Sequence, residues 1–213
     1  MLSWSTRLID VAGLRRLAHF RRSELVLALA TTAGVLLVGV LYGIVIAIAL
    51  SILDLLRRIA RPHDGVLGFV GGVAGMHDID DYPDVQQIPG LVIYRYDSPL
   101  FFANASDFLH RALRAVQAAE APVRWLVLNA EANVELDSTA VDALEDLRTT
   151  LERRGIVLGL TRVKFEVATT LARVGFLQRV GPEHVFMTLP TAVDAYRAWQ
   201  AQAVSAPPEG QLE

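Results

Sequence analysis

One stretch constrains this chain more than any other. From Leu25 to Leu53, between Glu24 and Asp54, no residue carries a charge: LVLALATTAGVLLVGVLYGIVIAIALSIL. A membrane-spanning helix needs about 20 consecutive apolar residues, and this run exceeds that. A cleaved leader is not expected. The run is too long and begins too late, and Leu53-Asp54-Leu55-Leu56-Arg57 offers no small-residue cleavage site. As one straight helix it would be about 44 Å long, against a hydrocarbon core of about 30 Å.

The flanks decide how that excess is used. Arg7, Arg15, Arg16, Arg21 and Arg22 precede the run, and Arg57, Arg58 and Arg61 follow it. Positive charge marks the cytoplasmic side, and here both ends are positive. The prediction is a helical hairpin over residues 25–61 that returns to its starting side. Gly34, Gly39 and Gly43 lie where the break or a close helix contact would fall. Two short helices cannot seal their polar backbone ends in lipid, so other membrane helices are required around them. Ser51 and Asp54 read as interface residues. Residues 1–24 read as an amphipathic lead-in helix at the headgroup level, with Leu8, Ile9, Val11, Leu14, Leu17, Ala18 and Phe20 at helical spacing and arginines between them.

Beyond Pro62 the composition becomes ordinary, although the 213 residues together are 53% hydrophobic with a mean hydropathy of +0.36. Net charge is −3, which argues against a nucleic-acid binder relying on phosphate contacts. With no cysteine there is no disulfide, thiolate metal site or cysteine nucleophile. Strands are predicted at Val66–Val70, Leu91–Asp97, Arg124–Ala130, Ile156–Val163 and around His184–Met187. Helices are predicted from Asn104 or Ser106 to Ala119, at Asp137–Arg154, Lys164–Val174 and Pro190–Ala203. The segment MHDIDDYPDVQQIPG from Met76 reads as a polar loop. Strands alternating with helices imply βαβ units and a mainly parallel sheet, an α/β domain over residues 62–203. Residues 204–213 have the composition of a disordered tail.

Few residues carry candidate chemistry. Asp137-Ser138-Thr139 sits at a strand-to-helix turn, where short polar side chains cap the free amides of the first turn, and Thr139 with Asp142 has capping-box spacing. The alternative is a switch: a phosphate on Ser138 or Thr139 would meet the helix-start amides favourably, with Asp137 and Asp142 opposing it. The same turn, Asp137 to Ala140, is a candidate interaction site, suited to regulation by changing how a surface docks. His77, Asp78, Asp80, Asp81 and Asp84 crowd one loop but fit no cation-loop spacing and read as a solvated turn. His19, His63, His110 and His184 read as isolated and form no ligand spacing. No phosphate loop, dinucleotide fingerprint or nucleophile elbow is present. No catalytic residue, metal site or cofactor is expected, and the chain reads as a non-enzyme.

The order LLRRIARP, DYPDVQQIPGLVIYRYDSPLFFANASDF, LDSTAVDALEDL, RRGIVLGLTRVKFEV closely resembles the C-terminal end of SulP-family anion transporters. Those proteins end in two short membrane helices followed by a cytoplasmic STAS domain, which is itself similar to bacterial anti-sigma-factor antagonists. The resemblance covers about Leu8 to Trp199. In the antagonists the second hydroxyl of a D-S-S/T motif is phosphorylated, which falls on Thr139 beside Ser138. This sequence has Asn129-Ala130-Glu131-Ala132-Asn133 where the antagonists more often carry a simpler aspartate-containing turn. The resemblance implies the C-terminal membrane anchor and regulatory STAS domain of a sulfate-class transporter, located in the cell membrane with the domain and both hairpin ends cytoplasmic. The apolar run would supply only the last helix pair, so the chain itself is expected to lack the substrate path. Expected partners are membrane lipid, the remaining transporter or other membrane helices, and a cytoplasmic protein or nucleotide. A stand-alone membrane-tethered STAS adaptor is the competing expectation.

Overall fold

A computed structural model describes Val26, Leu29, Ala30, Thr32, Ala33, Leu37 and residues 39–205 except 83. The expected lead-in helix lies outside the described residues, as does most of the tail. The chain divides into two units, one up to Arg58 and one from Ile59 onward.

In the first unit the described residues from Val26 to Leu37 are helical, Gly39 is not, and helix α1 (Val40–Ala60) follows. Gly39 has φ +97, a backbone conformation that L side chains rarely adopt. Its carbonyl accepts from the Gly43 amide at 2.9 Å, which starts the new helix. The apolar run is therefore broken near its middle, at one of the three glycines, and is not one straight rod. Helix α1 has 21 residues, about 31 Å at the standard rise. Its large apolar side chains are exposed around the helix, Leu41 at 72% and Leu55 at 56% among them. A helix apolar on all sides needs an apolar surrounding.

The second unit is built on a six-stranded sheet in the order β2-β1-β3-β4-β5-β6. The strands are β1 (Asp64–Phe69), β2 (Met76–Asp78), β3 (Leu91–Tyr96), β4 (Trp125–Asn129), β5 (Val157–Thr161) and β6 (Val185–Phe186). From β3 to β6 all pairs are parallel, while β1 runs antiparallel to both of its neighbours. Helices α2 (Ala105–Ala118), α3 (Ser138–Glu152), α4 (Phe165–Arg173) and α5 (Phe176–Val180) join the strands, and α6 (Leu189–Ser205) closes the described chain. Val204 and Ser205, read as the first residues of the tail, are the last two of α6.

Alternation along the strands divides the core in two. Val92, Tyr94 and Tyr96 of β3 and Leu126 and Leu128 of β4 face Phe108, Ala112, Leu144, Leu147 and Leu171 from α2, α3 and α4. Leu91, Ile93, Trp125 and Val127 face the other way, onto Leu189, Ala192, Val193 and Tyr196 of α6. Every strand residue of β4 is buried, as expected for a central parallel strand covered on both sides. A polar network closes the first layer near β1. Tyr94 donates to Asp64 Oδ2 at 2.8 Å and Tyr96 to Asp107 Oδ2 at 3.1 Å, while Arg111 pairs with both carboxylates. Burial pushes both phenols well above their ordinary range, and the carboxylates beside them push the same way.

Three readings of the sequence need correction. The segment read wholly as a loop contains β2, which pairs with β1 in the register Leu67↔Asp78 to Phe69↔Met76. Its Asp78 is buried, not part of a solvated turn. His63 is not isolated, since its Nε2 lies 3.1 Å from Asp78 Oδ2. Three residues of strand carry too little periodicity to be seen in sequence. Helix α5 was also hidden, between Gly175 (φ +71) and Gly181 (φ +93), and it buries Phe176 and Val180.

Candidate functional site

The loops that leave the carboxyl ends of β3 and β4 converge at the start of α3. In parallel sheets this is the end where side chains and loops are free to meet ligands or partners. Asp137 is the N-cap of α3, with φ −98 and ψ 179. Its Oδ1 accepts from the Ala140 amide at 2.8 Å, and its Oδ2 accepts from the Phe102 amide at 2.7 Å. One carboxylate therefore caps the helix and fastens the β3 loop to it. Two more ties join the same loops: Asn133 Nδ2 donates to Ser98 O at 2.7 Å, and the Leu100 amide donates to Glu135 O at 3.2 Å.

This placement separates the roles of the four residues singled out by sequence. Asp137 is structural cap and loop fastener. Ala140 is fully buried, and its amide is engaged by Asp137. Ser138 and Thr139 are exposed, and neither hydroxyl has a hydrogen-bond partner among the described residues. Thr139 does not act as a capping-box residue with Asp142. It is the second residue of the helix, because Asp137 already holds the cap position.

Phe102 is 69% exposed and Phe165, the first residue of α4, is 84% exposed. Arg162, at φ +54, takes the left-handed conformation and pairs with Glu131 across the β4 and β5 loops. Phe102, Asn133 and the Glu131–Arg162 pair were not identified from sequence. Their roles depend on loops brought together by the sheet, and no local pattern announces them. The acids of residues 78–84 are not assembled here: Asp78 turns inward and His77 packs edge-on against Tyr82 at 5.1 Å. Among the described residues no group of His, Asp and Glu has the arrangement to hold a metal ion.

A family model for the STAS domain matches residues 82–192, which span β3 to the start of α6 and include the whole of this site. A probable sulfate transporter of Mycobacterium tuberculosis is 62% identical over 191 residues, which is 90% of this chain and 34% of that protein. Sulfate transporter 1.3 of Arabidopsis thaliana is 29% identical over 196 residues, 88% of this chain and 30% of that protein. The chain thus spans about a third of the length of the curated relatives it matches. Among solved structures, the murine Slc26a9 anion transporter in its inward-facing state shares the fold with a TM-score of 0.78 at 23% identity, covering 91% of this chain and 31% of that one. The chain belongs to the STAS family, and the domain with its preceding apolar helix is similar to the STAS-bearing part of SulP-type anion transporters.

Proposed function

We propose that this chain is the C-terminal membrane anchor and regulatory STAS domain of a SulP-type transporter of sulfate-class anions. The observation that carries the reading is the order of parts: an exposed apolar helix of membrane-spanning length leads directly into a STAS domain. The 62% identity to a probable sulfate transporter extends over 90% of the chain and so includes both parts. The break at Gly39 supports a hairpin, and arginines on both sides of it favour cytoplasmic ends and a cytoplasmic domain. In this reading the substrate path belongs to other helices of the transporter, against which α1 packs, and the surface around Ser138 and Thr139 is where regulation is exerted.

Sulfate uptake into proteoliposomes tests it. The chain alone is expected to give no uptake above protein-free vesicles. A chimera in which it replaces the matching third of the mycobacterial relative is expected to take up sulfate, where the relative cut short at that point does not. Uptake by the chain alone, or a chimera that inserts yet is no better than the shortened protein, would overturn the reading. A second expectation concerns the regulatory surface. Thr139→Glu should leave stability within about 0.5 kcal/mol, because an acidic group in the first helical turn is tolerated by the dipole. It should still change the uptake rate of the chimera. If uptake and the melting temperature fall together, the position serves folding only.

A further inference from the structure

Asparagine is among the preferred residues at a helix start, where its side chain caps the first free amides. Asn104 holds that position on α2, yet its side chain caps nothing in its own helix. It is fully buried, and its polar atoms are engaged elsewhere. Its Oδ1 accepts from the Phe101 amide at 2.9 Å. Its Nδ2 faces Pro99 O at 2.8 Å, Ser98 Oγ at 3.3 Å and Ile59 O at 3.4 Å. The partners at 98, 99 and 101 lie in the β3 loop. Ile59 is the last residue but one of α1.

The last four carbonyls of a helix have no amide within it to bond, and Pro62, three residues after Ile59, has no N–H to offer. Asn104 therefore closes the end of α1 from 45 residues away. A second tie lies just beyond, where the Asp97 amide donates to His63 O at 3.0 Å. Both ties fall within the unit that begins at Ile59. Only Arg61, Pro62 and His63 separate α1 from β1, and the proline ring fixes one of these backbones. A connection so short, bonded to the β3 loop at both ends, has no slack.

The β3 loop is fastened in turn to the start of α3. The Phe102 amide donates to Asp137 Oδ2 at 2.7 Å, and Asn133 Nδ2 donates to Ser98 O at 2.7 Å. We propose that Asn104 is the positioning residue that joins the end of α1 to the Ser138–Thr139 turn. A change at that turn is then passed to α1 through residues 98–104, and not across a free tether. This rests on the reading of the turn as the regulatory surface, and gives that surface its route to the apolar helix.

The absence of cysteine allows single nitroxide labels in the full chain, held in proteoliposomes. Arg61→Cys places the label on the exposed connection, and Arg154→Cys places a control beyond the far end of α3. Asn104→Ala is expected to shorten the rotational correlation time at residue 61 about twofold and to leave residue 154 unchanged. Asp137→Ala, which frees the loop from α3 without touching Asn104, should shift residue 61 in the same direction. An unchanged label at residue 61 in either variant, or equal loosening at residue 154, overturns the proposal. Should Asn104→Ala fail to fold, the otherwise unaltered chain decides. Labels on Arg61→Cys and Ser106→Cys should then give one narrow distance distribution, and a broad one overturns the joint. These labels report without any uptake. A loose joint in a chimera that transports would sink this proposal alone, and a firm joint in a chimera that does not would sink the transporter reading alone.

Discussion

Asp137→Ala is expected to destabilise the domain by about 3 kcal/mol, far more than any change at the two hydroxyl residues beside it. The figure comes from two separate losses. The Ala140 amide loses its cap, a change that typically costs about 1 kcal/mol. The Phe102 amide loses a bond to a charged acceptor at 2.7 Å, and such bonds contribute about 1.5–3 kcal/mol each. The second loss also frees the β3 loop from the α3 start, which moves the exposed Phe102 ring relative to Ser138 and Thr139. Urea unfolding should show a lower midpoint with an unchanged slope, because the surface exposed on unfolding stays the same. Asp137→Asn should recover part of the loss, since asparagine is a good N-cap but an uncharged acceptor. A cost under about 1 kcal/mol would mean that one of the two bonds contributes nothing. The contrast with Thr139→Glu matters for function. If both variants alter transport, only the stability measurement distinguishes a distorted platform from a changed surface.

Much of this architecture was legible in sequence, for reasons that show where legibility stops. Leu144, Leu147 and Leu151 recur at three- and four-residue spacing and all three are buried, so α3 was visible. Val141 fits the same spacing but is only half-buried, and Ala140 and Ala143 take the core positions instead. Periodicity gives a face to within one position; tertiary packing sets the rotation. The central strands were visible because each is an almost continuous apolar run between turns. β2 was not, because a three-residue edge strand with a histidine and an aspartate looks like the loop around it.

The candidate site divides along the same line. The Asp-Ser-Thr turn could be located from local spacing, since a cap acts on its own helix. Which of the three caps could not be decided that way. Asp137 is fixed in that role by Phe102, 35 residues away in sequence, and Asn133 reaches Ser98 over the same separation. Likewise His63 and Asp78 are 15 residues apart and meet only once β1 and β2 have paired. The break in the apolar run was narrowed to three glycines by sequence. It falls on Gly39 by its backbone alone, since an added Cβ there would meet no atom within 4 Å.

Gly65→Ala is expected to cost about 2–3 kcal/mol, and the reason lies in Asp78 and not in the backbone of residue 65. The new methyl would sit 1.8 Å from Asp78 Oδ2 and 2.5 Å from Cγ, so the carboxyl must move. A flexible side chain on the surface would swing aside at little cost. Asp78 cannot, because it is buried and every direction away from Gly65 breaks a contact: the Asp80 amide, His63 or Arg95. Overpacking of this kind typically costs about 1–3 kcal/mol, and separating a buried carboxylate from its cations adds to that. The two sites share one cause, so their effects should not add. Asp78→Ala removes the group the methyl collides with, and the double variant should lose clearly less than the sum of the two single changes. Full additivity would show that residue 65 acts through something other than the carboxylate.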